Sequence, residues 1–305
     1  MYDLKSMLAV SVVMPVYNAE RFLREAVESI LAQSFEEFEL IAIDDGSTDG
    51  SAEVLDSYAR GDARLRVMRR EHAGLPATLN AGCALAQGKY IARMDADDIA
   101  LPARFERQIE FLETHPRVAV LGTQLEQILE DGAHLGVSNH PLEHAEITAN
   151  MQKFCCIHHP TVMMRATALR TLGGYREAFH GAEDHDLWLR AAEQFELANL
   201  PEILLRYRLH TQSLSFQELE QQVMAAMAAE LSAQHRRAGK SEPFAAQRQI
   251  TREDLRAAGL SEAALARAIA KARDWYRVRN IQPCTLQTSI LQTSTIHSSA
   301  AAVDM

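Results

Sequence analysis

Apolar positions along the first hundred residues fall into two alternating patterns, short unbroken runs and longer stretches with a period of three to four. Ala9 to Met14 is a β-branched run stopped by Pro15, and Glu20 to Gln33 then carries Phe22, Leu23, Ala26, Val27, Ile30 and Leu31 at helical spacing. The pairing repeats with strand Phe38 to Ile43 and helix Ser51 to Tyr58, strand Arg64 to Arg69 and helix Leu75 to Ala86, and then strand Tyr90 to Met94. Such repetition predicts a mostly parallel sheet with helices on both faces, joined by right-handed crossovers. Ligands of such sheets collect at the carboxyl edge, where Pro15-Val16-Tyr17, Asp44-Asp45 and Asp95-Ala96-Asp97 all emerge.

Beyond Asp98 the rhythm is looser. Pro102 to Thr114 is an amphipathic helix with proline in its first turn, and Val118 to Ile128 is extended up to a hairpin-like break at Asp131-Gly132. From there to Asn150 no period stands out. Ile157 to Met164 predicts a strand, Thr167 to Leu172 a short helix and Gly173-Gly174 a flexible break. Glu183-Asp184-His185-Asp186 introduces a helix over Leu187 to Glu193, and Glu196 to Leu209 is extended with Pro201 interrupting it. From Phe216 the chain is mostly helical to Asn280. Residues 281–305 repeat Leu-Gln-Thr-Ser at 286 and 291, are poor in charge and core pattern, and are expected to be disordered.

Composition narrows the function classes. A chain of 305 residues with ordinary apolar content buries ample core. Its net charge of −10 leaves no basic excess with which to hold a nucleic acid by its phosphates. The charge is uneven, however: residues 216–280 hold eleven Lys/Arg against eight Asp/Glu, leaving 20 against 33 elsewhere. That stretch reads as a solvated helical face, with contact to acidic lipid as the alternative. Cys155 and Cys156 are adjacent, which suits no ordinary disulfide framework, leaves Cys83 and Cys284 as distant partners and fits a reducing cytosol. Met7 to Val16 lacks the basic lead-in and cleavage site of a signal segment, and no apolar run approaches the ~20 residues of a membrane-spanning helix.

The residues able to do chemistry gather at the ends of the predicted strands. Gly88 to Asp98 runs from an apolar segment straight into Asp95, Asp97 and Asp98. While the chain stays extended, Asp95 and Asp97 share a face, where hard oxygens can hold a divalent ion (Mn2+ or Mg2+) and, through it, a phosphate. Asp98 alone is explained equally well as a cap on the helix near Pro102. Asp45 to Gly50 with Asp56 twelfth in line imitates an EF-hand loop. The imitation fails, because a β run precedes it where a helix is required and Asp56 is shorter than the bidentate Glu. No glycine-rich phosphate loop follows the first strand, which removes dinucleotide and P-loop readings. The first loop offers Pro15, Tyr17 and Asn18 instead. An aromatic beside a rigid turn can stack on a base, and Asp45 can accept a hydrogen bond from a pyrimidine N–H. Arg69, Arg70 and His72 lie near the same edge, within reach of a phosphate. Asp184, placed just before a helix, is either an N-cap or a base. His158 and His159, adjacent on a predicted strand, face opposite ways and cannot easily ligate one ion.

Together the segments Val12-Val13-Met14-Pro15-Val16-Tyr17-Asn18, Asp44-Asp45-Gly46-Ser47-Thr48-Asp49, Gly88-Lys89-Tyr90-Ile91 with Asp95-Ala96-Asp97-Asp98, Glu183-Asp184 and Tyr207-Arg208-Leu209-His210 resemble the family 2 glycosyltransferases of the GT-A fold. The resemblance covers about residues 9–215. It implies an α/β fold of GT-A type, with a mostly parallel Rossmann-like sheet flanked by helices. A nucleotide-binding half (9–121) and an acceptor half (122–215) are expected, followed by a helical C-terminal extension (216–280) that lies outside the resemblance. The implied nucleotide-sugar site comprises Pro15, Val16, Tyr17, Asn18, Asp45, Asp95, Ala96 and Asp97. Asp97, Asp95 and His210 are the implied metal ligands, Asp97 the firmest, and Arg208 is a further candidate for the diphosphate. Asp184 is the implied catalytic base, with Glu183 as fallback or as a residue that orients Asp184 or the acceptor. Inverting transfer needs such a carboxylate opposite the leaving group and a cation at the departing diphosphate.

The resemblance further implies a UDP-linked donor and a hydroxyl acceptor on a glycan or lipid-linked precursor of the cell envelope. The protein is then expected in the cytoplasm, with peripheral contact at the inner face of the membrane. The Gln-x-x-Arg-Trp signature and membrane helices of processive synthases are missing, so one sugar per encounter is expected. Two rivals stand beside this reading: a nucleotidyltransferase, which also uses paired acids, and a non-catalytic nucleotide-sugar-binding subunit.

Overall fold

The computed structural model describes residues 8–151 and 155–278. Four strands, β1 (Val10–Val16), β2 (Phe38–Asp44), β3 (Leu65–Arg69) and β4 (Tyr90–Arg93), lie parallel in the order β3-β2-β1-β4. Between them run α1 (Glu20–Leu31), α2 (Ser51–Gly61) and α3 (Leu75–Leu85). All seven positions of β2 are buried, as expected of a strand covered on both faces, with Glu39 taken up by Ser11 and Arg66. Helix α1 turns Phe22, Leu23, Ala26, Val27 and Ile30 to the sheet at helical spacing. Gly82 lets α3 lie flat on the sheet: a Cβ there would meet Ile43 Cδ1 at 2.5 Å and Val13 Cγ1 at 2.6 Å.

After β4 the chain forms β5 (Ile99–Ala100), α4 (Arg104–Thr114), β6 (Val118–Leu129), β7 (His134–Val137) and α5 (His144–Asn150). It continues with β8 (Met163–Arg165), α6 (Ala166–Leu172), α7 (Glu183–Ala192) and β9 (Glu196–Leu209). The parallel expectation holds through β4, and beyond it the ladders are mixed. β8 returns antiparallel between β4 and β6, β9 pairs parallel with β6 and antiparallel with β5, and β7 hairpins onto β6.

Three predicted elements are corrected. Of the strand expected over Ile157 to Met164, residues His159–Thr161 form a single 3-10 turn and the ladder begins at Met163, since Pro160 has no N–H to give. Pro201 does not interrupt β9: Thr123 pairs with Leu200 and Gln124 with Ile203, so Pro201 and Glu202 are taken up in a bulge. Helix α7 begins at Glu183 in place of Leu187, with Ala182 as its N-cap. Asp184 is therefore inside the first turn and is not the cap.

The C-terminal part supplies α8 (Leu214–Gln217), α9 (Leu219–Arg237), α10 (Arg252–Ala257) and α11 (Glu262–Val278). Small side chains, Ala225, Ala228, Ala229 and Ala233, let α9 approach α7 closely. Met224, Phe244, Ile250, Leu255, Leu265 and Ile269 join Leu187 and Trp188 in one continuous core. Arg176 fastens this region to α7 through Asp186 and, at 2.7 Å, Glu242. The tail expected to be disordered, 281–305, lies outside the described residues. Among the described residues no helix is long and apolar enough to cross a membrane.

Candidate active site

The loops after β1 and β2 are built as one unit. Asn18, at φ 49°, accepts the Thr48 N–H at 2.8 Å and donates its own N–H to Ser47 Oγ at 3.1 Å. Asp44 accepts from Ser47 N–H at 2.9 Å, and Asp49 accepts from the N–H groups of Ser51 at 3.0 Å and Glu20 at 3.1 Å. These acids are consumed by the turn, which accounts for the EF-hand look-alike without a calcium ion. Asp45 is 3% exposed. Its two oxygens accept from the backbone N–H groups of Ala73 at 3.1 Å and Gly74 at 2.9 Å, with His72 Nδ1 at 3.0 Å. Tyr17 is half exposed and stacks on His72 with ring centres 4.2 Å apart.

The acid cluster forms by a different route from the one the spacing suggested. Strand β4 stops at Arg93, so Asp95 and Asp97 lie in the turn beyond it and aim at different partners. Asp95 is ion-paired with the buried Arg93. Asp97 Oδ2 lies 2.8 Å from His210 Nε2. Asp98 is wholly buried and accepts the Arg208 N–H at 2.8 Å, which pins the end of β9 to the turn and replaces the helix-cap reading. Ligand atoms of the three acids all fall within 4.8 Å of one another. Burial, joined by the charges of Asp97 and Asp95, pushes the Asp98 carboxyl well above the usual range.

This donor set fits a hard divalent cation. Adjacent ligands on an octahedral ion at roughly 2.1 Å are about 3 Å apart, close to the separation of Asp97 Oδ2 and His210 Nε2. Arg208 cannot serve the diphosphate. It is 3% exposed, and its guanidinium is spent on Asp97 O at 2.9 Å, Glu130 O at 3.1 Å and Glu25 at 2.5 Å.

A cleft of about 310 Å³ opens over these groups. Pro15, Val16, Tyr17, Asn18, Asp45, Asp95, Ala96, Asp97 and His210 all line it, so every residue expected at the nucleotide and metal sites meets in one place. His72 lines it too, whereas Arg70 turns to Asp45 and Ala77 O and Arg69 to Asp56. The far wall is His180, hydrogen-bonded to Glu218 at 2.8 Å, with Gln212, Ser213 and Leu214. The sequence pattern assigned no role to Gln212, Ser213 or Leu214.

Glu183 and Asp184 do not line this cleft, though Asp184 acts on Asp95 through its charge. The link is electrostatic: the Asp184 charge is among the influences, after burial, that hold Asp95 above its ordinary range. Between the two groups lies Arg93, 4% exposed, which the sequence reading missed although an arginine inside an apolar strand is itself a signal. Burial opposes its charge, but Asp95 more than offsets that and raises its pKa. Glu183, 3% exposed, is pushed up to about 8, first by burial and then by Asp184. It accepts the Gly181 N–H at 2.8 Å, and its other oxygen is 4.0 Å from His159 Nδ1, on a ring that burial keeps neutral. Asp184 is half-buried and is raised by burial, with His185 and Arg93 pulling it back. Burial thus favours the protonated form at Glu183, and Asp184, the more exposed of the two, is raised as well.

Known proteins resemble this chain in sequence and in fold. The chain is 42% identical over 204 residues to the putative glycosyltransferase EpsE of Bacillus subtilis, a match covering 65% of this chain and 72% of the relative. It is 32% identical over 208 residues to the O-antigen biosynthesis glycosyltransferase WbnJ of Escherichia coli, covering 67% and 81%. Among solved structures, TarS residues 1–349 from S. aureus in complex with UDP-GlcNAc superposes with a TM-score of 0.62 at 18% identity, covering 92% of this chain and 76% of that one. The mannosyltransferase PcManGT from Pyrobaculum calidifontis, with GDP-Man and Mn2+, gives 0.57 at 17%, covering 88% and 75%. The fold is thus the GT-A fold of these transferases. With residues 11–173 matching the profile described as Glycosyl transferase family 2, the chain belongs to that family and is a glycosyltransferase.

Proposed function

We propose that the protein is an inverting, metal-dependent transferase that moves one sugar from a UDP-linked donor to a hydroxyl of a glycan or lipid-linked acceptor in envelope polysaccharide synthesis. The observation that carries this reading is the meeting of Tyr17, Asp45, Asp97 and His210 in one cleft, with Asp184 near enough for its charge to act on Asp95. Tyr17, backed by the stacked ring of His72, offers a face to the base, and the fixed Asp45 sits at its edge. Asp95, Asp97 and His210 would hold the divalent ion, which when bound neutralises the charge on the departing diphosphate. Asp184 takes the proton from the acceptor hydroxyl as it attacks the anomeric carbon. Glu183, already protonated, keeps a second negative charge away from Asp184 and positions it.

The UDP assignment is supported by the UDP-GlcNAc complex of TarS, and the GDP-Man complex of PcManGT makes the base the first thing to test. The glycan acceptor is supported by the O-antigen role in WbnJ's name. The reaction is placed on the cytoplasmic side, with peripheral contact at the inner membrane face where lipid-linked precursors are met. A panel of nucleotide sugars incubated with Mn2+ should release UDP, with inverted anomeric configuration in the product by NMR. Pyrophosphate without UDP would point to nucleotidyl transfer, and donor binding with no turnover would leave a binding subunit.

A further inference from the structure

With Arg208 spent on its neighbours, the cleft still needs a positive charge. Asp45, Asp95, Asp97 and Glu218 line it, and a nucleoside diphosphate brings more negative charge, which grows when the sugar departs. One divalent ion does not balance both. Among the described residues that line the cleft, Arg21 is the one arginine or lysine. It sits in the first turn of α1, beside Phe22, which lines the cleft as well. Arg21 Cζ lies 4.9 Å from the centre of the Phe22 ring, and that centre lies 4.9 Å from the centre of the His210 ring. A single phenylalanine ring therefore separates the guanidinium from His210, whose Nε2 is 2.8 Å from Asp97 Oδ2 at the candidate cation site.

We infer that Arg21 binds the diphosphate of the donor and stabilises the charge that develops on it as the sugar leaves. This rests on the transferase reading and adds to it a residue outside the motifs. As the acceptor oxygen bonds to the anomeric carbon, the bond from that carbon to the β-phosphate oxygen breaks, and its electron pair stays with the nucleoside diphosphate. A guanidinium offers that group two N–H donors in a fixed fork. Arg21 can be recruited because its partner holds it loosely. Its side chain is 58% exposed and that of its ion-pair partner Glu130 is 40% exposed, so water reaches both ends of the pair. The diphosphate, carrying more charge in a more sheltered place, is the stronger partner. Glu130 also stays close to the site. Arg208 donates from Nη1 to Glu130 O at 3.1 Å and from Nε to Asp97 O at 2.9 Å, which ties the backbone of Glu130 to the acid turn. Arg208 Cζ is itself 4.7 Å from the centre of the Phe22 ring. Arg21 and Glu130 are thus held beside the candidate cation site, and a short swing exchanges the carboxylate for the diphosphate.

The test separates the phosphates from the rest of the nucleotide. Calorimetry in Mn2+ measures UDP, and uridine, which has the base and ribose but no phosphate, is read by its displacement of UDP. Arg21→Met should weaken UDP binding by about tenfold and leave uridine within about twofold of wild type. Arg21→Lys, which keeps the charge, should recover part of the loss. Glu130→Gln, which releases Arg21, should tighten UDP by about twofold to fivefold. In turnover, Arg21→Met should lower kcat as well as raise KM, because the departing diphosphate carries more charge than the bound donor. Should the donor panel favour GDP-sugars, GDP and guanosine take the places of UDP and uridine. UDP affinity unchanged in Arg21→Met, or an equal loss for UDP and uridine, would overturn the assignment and leave the transferase intact. Failure of the wild-type enzyme to release a nucleoside diphosphate from every donor would overturn the transferase reading, and the role of Arg21 with it.

Discussion

The two sides of the catalytic region hold their carboxylates by opposite means. On the nucleotide side, backbone N–H groups do it, from the same turn or from a facing loop: Ser47 for Asp44, Ala73 and Gly74 for Asp45, Ser51 and Glu20 for Asp49. At Asp49 these hydrogen bonds outweigh the effect of burial, and the acid is held below the usual carboxylate range. On the side of α7, burial dominates: Glu183 accepts the Gly181 N–H and is still raised to about 8, and Asp184 accepts the His185 N–H at 2.7 Å and is raised as well. One side ties its acids into turns, and the other withholds water from an acid pair. Arg93 sits at the join, paired with Asp95 and acting on Glu183 and Asp184.

That contrast can be broken, beginning where the effect is largest. Asp184→Asn should cut turnover by about 10²-fold to 10⁴-fold, the usual contribution of a positioned base, while calorimetry finds UDP affinity unchanged. Turnover that survives would remove Asp184 from its role and leave the α7 side without a base. Next, Arg93→Met strands Asp95 among acids. Breaking a buried pair costs about 3 to 5 kcal/mol, and the partial exposure of Asp95 places this one near about 3. Urea denaturation reads the loss, and a midpoint equal to wild type would mean the join bears no strain.

Asp97→Ala acts on the recognition side alone. It should weaken Mn2+-dependent UDP binding at least about tenfold, or ~1.4 kcal/mol, with little change in stability. An unaltered isotherm would dismiss Asp97 as a ligand.

The smallest effect sharpens the comparison. Glu183→Gln imitates the protonated acid, so turnover at neutral pH should stay near wild type. Its signature is in pH dependence. The folded pKa of about 8 lies above the ordinary 4.5 of the unfolded chain, so the native state holds the extra proton between those values. Stability therefore falls as pH rises through that window. Thermal melts of Glu183→Gln should lose this slope. A slope unchanged from wild type would show that Glu183 is ionised in the fold.

The nucleotide side was largely legible in the sequence because each of its strands and turns is written in a short segment. Val-Val-Met-Pro followed by Tyr17-Asn18, and Ile43 followed by Asp44-Asp45-Gly46, describe a strand and its turn within a few residues, although the bonds that join Asn18 to Thr48 and Asp45 to Gly74 come from the fold. The second half was read less well where distant partners decide. Pro201 looked like a break until β6 supplied a bulge to absorb it. Arg208 looked available to phosphate until Glu25, Asp97 and Glu130 claimed it. The helices after 216 carried no recognisable motif, yet α9 covers α7 and completes the core beneath Asp184.

Periodicity and residue type were enough to determine the strands, most of the helices and the identity of every acid at the carboxyl edge, since these depend on neighbours within a turn or a strand. Which acid carries a proton, which faces the cation site and which merely braces a strand was decided only by tertiary packing. A carboxyl's charge state is set by how much water is withheld from it and by charges near it in space. For Asp98 the hydrogen bond comes from Arg208 at the end of β9, and for Asp95 part of the opposing charge comes from Asp184 on α7.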